Sequence, residues 1–264
     1  MRFLLPLGLV LGLAVSAATA AETGDPLPPK DMHWSFEGPF GHYDRAQIQR
    51  GFQVYKEVCS ACHSLSHVAF HNLSEPGGPS FTDKQMKAIA AGYKLPAGPN
   101  DKGETVDDKG NPLTRAGIPA DYFPPAFANE QLARASNGGA LPPDLSMIVS
   151  AREGGSRYVY SIITGFHQTP PANFKVLDGK YYNPYFQGWN ISMPPPLSPN
   201  QVTYADGTKA SVDQEAADVV TFLTWASDPK MEDRKRLGFE VMAFLIVLSG
   251  MLFLAYRKVW KDMH

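Results

Sequence analysis

Cysteine is almost missing from this chain: two residues in 264. A multi-bridge disulfide framework is therefore excluded. A structural zinc site would want two more Cys or His at ligand spacing, and no second pair exists. An excess of positive charge is missing too. The 24 Lys+Arg are set against 26 Asp+Glu, for a formal net charge of −2, and nothing in that balance supports nucleic-acid binding. Long uncharged apolar runs occur only at the two ends of the chain. Proline and glycine, by contrast, are plentiful at 23 each, which points to long ordered loops rather than a regular sandwich or bundle. The length suffices for one substantial core, with room for a large insertion.

Both cysteines fall in one stretch, Cys59-Ser60-Ala61-Cys62-His63. C-x-x-C-H is the attachment signature of a c-type haem. Two thiols three positions apart reach two vinyl groups on one porphyrin edge, and the next residue places an imidazole under the iron. A redox dithiol would want a βαβ context that the flanking sequence does not offer. A bridge between Cys59 and Cys62 would close a very small loop and add little stability.

Residues 1–20 have the form of a secretory signal peptide: Arg2, an apolar stretch from Phe3 to Val15, and the small-residue site Ala18-Thr19-Ala20. Asp44 with Gln47 predicts a helix start, and the helix runs to about Val58 and delivers the chain into Cys59. His67 and His71 lie too close to the motif to reach the opposite haem face without a sharp reversal. Thr82 with Gln85 predicts a short helix to about Gly92. Residues 94–129, with alternating charges and many prolines and glycines, read as a surface insertion, either a solvated loop or an acidic docking face. Short helices are expected over 130–136, from about Ser146 to Arg152, and over 158–164. Arg152 and Arg157 are both candidates to pair haem propionates, with surface arginine as the plain alternative.

Met193 precedes Pro194-Pro195-Pro196 in a stiff loop far downstream of His63. A thioether there suits iron, although most methionines merely fill cores. Ser211 with Gln214 opens a second amphipathic helix to about Ala226, the expected partner of the helix before Cys59. Residues 237–256 carry one charge, Glu240, and are long enough to cross a bilayer. The division expected is a signal peptide (1–20), an exported domain (21–229), a basic juxtamembrane linker (230–236), a transmembrane helix (237–256) and a cytoplasmic tail (257–264). Arg257, Lys258 and Lys261 fit the positive-inside pattern, Arg234, Lys235 and Arg236 weaken it from the other side, and the cleaved export signal decides the orientation. Between Ala21 and Pro229 stand 22 acidic and 16 basic residues, so the exported part is acidic and suited to a basic partner.

Several motifs in order resemble the cytochrome c1 family: Trp34…Phe40-Gly41, Gln49-Arg50-Gly51-Phe52-Gln53-Val54-Tyr55, C-S-A-C-H, Leu141-Pro142-Pro143-Asp144-Leu145-Ser146, Tyr181-Tyr182-Asn183-Pro184, Met193-Pro194-Pro195-Pro196, Phe222-Leu223-x-Trp225-Ala226 and the C-terminal span. The resemblance covers nearly all of the chain after the signal. It implies a mainly α, cytochrome c-like haem domain with long loop insertions and one C-terminal transmembrane helix. It implies one covalent haem c on Cys59 and Cys62, iron ligands His63 and Met193, and propionate contacts from Arg152 and Tyr158. The implied role is electron transfer within ubiquinol–cytochrome c reductase, an oxidoreductase, with no bond chemistry by the chain itself. The implied partners are cytochrome b, the Rieske iron–sulfur protein and a soluble basic c-type cytochrome, in a dimeric complex of the bacterial inner membrane with the haem domain on the periplasmic side. Some bacterial members carry an extra cysteine pair that this chain lacks. Two other classes stay open on the residues alone: a tethered cytochrome working without a complex, and a haem enzyme or sensor with an open sixth position.

Overall fold

The computed structural model describes residues 24–261; the expected signal peptide lies outside the described residues. In chain order the elements are α1 (Arg45–Glu57), α2 (Asp83–Ala91), β1 (Lys94–Pro96), β2 (Thr114–Ala116), α3 (Glu130–Ser136), α4 (Gly155–Thr164), β3 (Tyr181–Tyr182), β4 (Asn190–Ile191), α5 (Val212–Ser227) and α6 (Met231–Trp260). Helices dominate, and long loops carry most of the rest.

The helix starts expected from side-chain capping are present. Asp44, Thr82 and Ser211 accept from the backbone N–H groups of Gln47, Gln85 and Gln214, each satisfying one otherwise unpaired donor. Helices α1 and α5 pack face to face through the core. Phe52, Tyr55 and Phe222 interlock there, with Phe52–Phe222 and Tyr55–Phe222 ring centroids both 5.7 Å apart. Gly51 is the point of closest approach: a Cβ at that position would lie 2.0 Å from the carbonyl oxygen of Asp218 on α5. The same crossing carries charge. The Arg50 guanidinium donates to both oxygens of fully buried Asp218 (2.9 and 3.2 Å) and to Asp206 (3.0 Å).

Two sequence expectations change. Residues 146–153 form successive turns rather than a helix, and α4 begins only at Gly155. There the Ser146 N–H donates to Asp144 (2.8 Å) and its hydroxyl accepts from the His67 N–H (3.0 Å). Within the insertion 94–129, which holds little regular structure, β1 and β2 pair antiparallel with Leu95 opposite Arg115. The basic stretch 230–236, expected as a linker, is the first turns of α6, which runs unbroken from Met231 to Trp260. That helix is long and apolar enough to cross a membrane.

The insertion is held by an acid–base clamp. Arg115 donates to both oxygens of Asp121 (2.5 and 2.7 Å), and the Ile118 N–H donates to the same carboxylate. These contacts, with Arg115 foremost, hold the Asp121 carboxyl down to about 2. A carboxyl depressed on folding gives its full contribution at neutral pH. That contribution declines below the ordinary value of 3.8 and is lost as pH falls through about 2. Limited proteolysis with an acid-active protease should therefore nick 94–121 progressively faster across that window. Asp121→Asn should be nicked at the fast rate throughout, and equal rates for the two proteins would refute the clamp.

Candidate haem-binding site

Helix α1 ends at Glu57, and the chain passes through one tight turn, Cys59–Ala61, into Cys62 and His63. The N–H groups of Cys62 and His63 both donate to the Cys59 carbonyl (3.1 and 2.9 Å). That turn brings both thiols and the imidazole to one cavity of about 480 Å³, within the roughly 300–1,000 Å³ usual for small-molecule sites. Both thiols are free. Desolvation, reinforced by Cys62, pushes the Cys59 thiol up to about 12.

His63 is oriented by a segment 80 residues away. Its Nδ1 lies 2.8 Å from the Pro143 carbonyl oxygen. A carbonyl only accepts, so Nδ1 carries the hydrogen and Nε2 keeps its lone pair. Burial lowers the pKa of this imidazole, against the opposing pull of Pro143 and Asp144, so it is neutral and able to ligate. Pro143 is itself held in place. Asp144 accepts from the Ser66 hydroxyl (2.6 Å), the Ser66 N–H (3.0 Å) and the Ser146 N–H (2.8 Å), while the Leu145 N–H donates to the Ser64 carbonyl (2.9 Å). The Tyr55 hydroxyl donates to the His63 carbonyl (3.2 Å). This is the arrangement of a metal-ligating histidine fixed from its outer nitrogen.

Met193 lines the same cavity. Two apolar side chains pin its loop, Ile191 in a small cluster with Ile162 and Tyr185, and Leu197 in the main core. Between them Pro194, Pro195 and Pro196 fix φ. Just beyond, the buried Glu215 carboxylate accepts from the N–H groups of Gln201 and Val202 (3.1 and 3.2 Å). Burial foremost, with Asp218 adding, raises the pKa of Glu215 against those two bonds.

The two arginine candidates separate. Arg152 and Tyr158 line the cavity. Arg157 is committed elsewhere, 2.7 Å from Glu37 and 3.6 Å from Asp31. His67 and His71 do not line the cavity; the His71 ring contacts the Pro119 carbonyl and Glu75. Four supports escaped the sequence reading: the Pro143 carbonyl, the Asp144 clamp, Glu215 and an N-terminal strap. In that strap Lys30 donates from its backbone to the Ser161 hydroxyl (2.8 Å) and from Nζ to the Thr164 hydroxyl (2.6 Å), while the Leu27 N–H donates to the Pro184 carbonyl. It ties α4 to the loop leading to Met193. Of these, only the Leu141–Ser146 motif had left a trace in the sequence.

The donor set fits a covalently held haem. Two thiols sit at the cavity edge, a neutral imidazole has Nε2 free, a thioether shares the space, and a guanidinium is available for carboxylates. The remaining lining is almost entirely apolar. Among the described residues that line it there is no second histidine and no Asp or Glu.

The family model described as "Cytochrome C1 family" matches residues 34–263. Among curated relatives, "Cytochrome c1" of Rhodospirillum rubrum is 44% identical over 276 residues, covering 99% of this chain and 97% of that protein. "Cytochrome c1" of Blastochloris viridis is 38% identical over 279 residues, covering 99% and 96%. "Cytochrome b/c1" of Bradyrhizobium diazoefficiens is 48% identical over 262 residues; the match covers 92% of this chain and 37% of that longer protein.

Proposed function

The chain belongs to the cytochrome c1 family, and from that footing we propose that it is the haem-bearing electron-transfer subunit of a ubiquinol–cytochrome c reductase. It takes one electron from the Rieske iron–sulfur protein and passes it to a soluble, basic c-type cytochrome. The observation that carries this reading is the single cavity lined at once by Cys59, Cys62, His63 and Met193. Haem c, when bound, supplies one-electron iron chemistry.

The chain's own residues do the rest. Cys59 and Cys62 form the thioethers. His63 and Met193 ligate iron, with Pro143 and Asp144 holding the imidazole. Arg152 and Tyr158 take the propionates at the cavity mouth. The apolar lining excludes water and so favours the less charged, reduced site.

Cytochrome b is the partner in the membrane, a pairing that the name of the Bradyrhizobium relative joins in one protein, and the assembled complex is a dimer. The haem domain faces the periplasm and α6 crosses the inner membrane. Contacts of α6 support that orientation. Of the basic flank before the span, Arg234 pairs with Asp228, Arg236 with Asp233, and Lys235 with two backbone carbonyls of the domain. Arg257 and Lys258 follow the span at its exposed end, where positive charge marks the cytoplasmic side.

Purification through this chain in mild detergent tests the proposal. A cytochrome b and an iron–sulfur protein should co-purify with quinol–cytochrome c reductase activity, and haem should stay on this chain after denaturation. A haem-loaded chain that purifies alone and inactive would point to a tethered carrier instead.

A further inference from the structure

The loop before α1 holds a second hydrophobic feature at the membrane end of the domain. Phe40 is 81% exposed, far more than the other aromatic side chains of the core region around it. Its neighbours are fixed. Trp34 and Phe36 are buried and stacked, 5.4 Å between centroids. Gly38 turns the chain at φ +71°, and the Gly41 N–H closes the turn onto the Gly38 carbonyl (3.3 Å). Lys235 of α6 donates from Nζ to the carbonyls of Phe36 (2.8 Å) and Gly41 (3.0 Å), one on each side of the tip. The Phe40 ring stacks on Phe239 of α6, with centroids 5.0 Å apart and planes within 13°.

The height of this tip along α6 can be worked out. The apolar span runs from Leu237 to Tyr256, interrupted only by Glu240. At about 1.5 Å per residue that is about 30 Å, the thickness of the hydrocarbon core. Phe239, two residues in, lies about 3 Å inside the apolar edge, and Lys235, two residues before Leu237, lies about 3 Å outside that edge toward the headgroups. Phe40 shares the level of Phe239, and its exposed ring is continuous with the apolar surface of the helix. An exposed aromatic at the boundary of headgroups and acyl chains is favourably placed, because apolar area leaves water there.

We infer that the Gly38–Gly41 turn is a membrane contact in its own right, inserting Phe40 into the headgroup–acyl boundary of the bilayer beside α6. The domain is thus seated on the lipid surface at two points instead of being suspended from one helix.

The test uses the full haem-loaded chain in liposomes, with Phe40→Cys carrying a nitroxide label. The unsubstituted holoprotein should take no label, because Cys59 and Cys62 are consumed by thioethers. Labelling there would count against the haem attachment, not against this inference. Dissolved oxygen partitions into acyl chains and a chelated nickel ion stays in water. The label at position 40 should therefore collide with oxygen several-fold more than with nickel. A label at exposed Lys87 of α2, as Lys87→Cys, should show the reverse. An aqueous ratio at position 40 matching that at 87 overturns the inference. So does loss of access to both reagents on assembly with the co-purifying subunits, which would mean that protein covers the tip.

Discussion

Met193→Leu is expected to leave the chain folded and the haem attached. It should abolish the methionine–iron charge-transfer band, open the sixth position to carbon monoxide and lower the midpoint potential. Axial ligands tune haem potentials over about 0.8 V, so the shift should be on the order of a few hundred millivolts. The fold should tolerate the change because leucine nearly conserves volume, a swap that costs less than about 1.5 kcal/mol in a core. The loop is also held independently of this side chain, by Ile191 and Leu197 packing and by the Glu215 bonds to Gln201 and Val202. Redox titration and visible spectra of the purified variant read all three effects. An unchanged band and potential would assign the sixth ligand to another residue.

Gly51→Ala should do the opposite, failing in the fold before the site. Its Cβ would meet the Asp218 carbonyl oxygen at 2.0 Å and the Phe222 Cβ at 2.7 Å. Both belong to the helix that faces α1, so no flexible side chain can move aside. Relief requires α1 and α5 to separate. That would break the Arg50–Asp218 pair and pull Val219 and Leu223, which line the cavity, away from the Cys59 turn. The expected cost is about 3 kcal/mol or more, the upper end of the range for overpacking. Set against a typical total of roughly 5–15 kcal/mol, that is a large share. Chemical denaturation and the yield of haem-loaded protein measure it. Gly98→Ala is the control: nothing lies within 4 Å of that position, and exposed substitutions of this kind usually stay within about 0.5 kcal/mol. Equal stability of the two variants would refute the crossing geometry.

How much of this was legible in the sequence depended on how local each signal was. The caps at Asp44, Thr82 and Ser211 act over three residues and were readable. So was the pairing of the helices now seen as α1 and α5, because each carries a broad apolar face. C-x-x-C-H and the proline-locked Met193 stood out as candidates by residue type, and the fold brings both to one cavity. The supports of the site left no such mark. Pro143 reaches His63 across 80 residues and Lys30 reaches Ser161 across 131, through a backbone carbonyl and a backbone N–H that every such residue has. The helix expected from about Ser146 to Arg152 is a run of turns. There the Ser146 hydroxyl is engaged across 79 residues by the His67 N–H, a partner that local sequence does not announce. Arg152 and Arg157 were indistinguishable by type, and only the ion pairs of Arg157 with Glu37 and Asp31 separate them.

The joint between α6 and the domain has a mechanical side. Glu232 accepts from the Tyr43 N–H (2.8 Å) and pairs with Arg45 in the first turn of α1, while Lys235 grips the loop just before it. These contacts fix the first turns of α6 to the domain. A spanning helix answers a bilayer thinner or thicker than itself chiefly by tilting, at a cost of fractions of a kcal/mol per ångström of mismatch. Here any such tilt is handed on to the whole domain. A change in bilayer thickness is therefore expected to change the angle at which the cavity lined by Cys59, His63 and Met193 stands to the membrane plane.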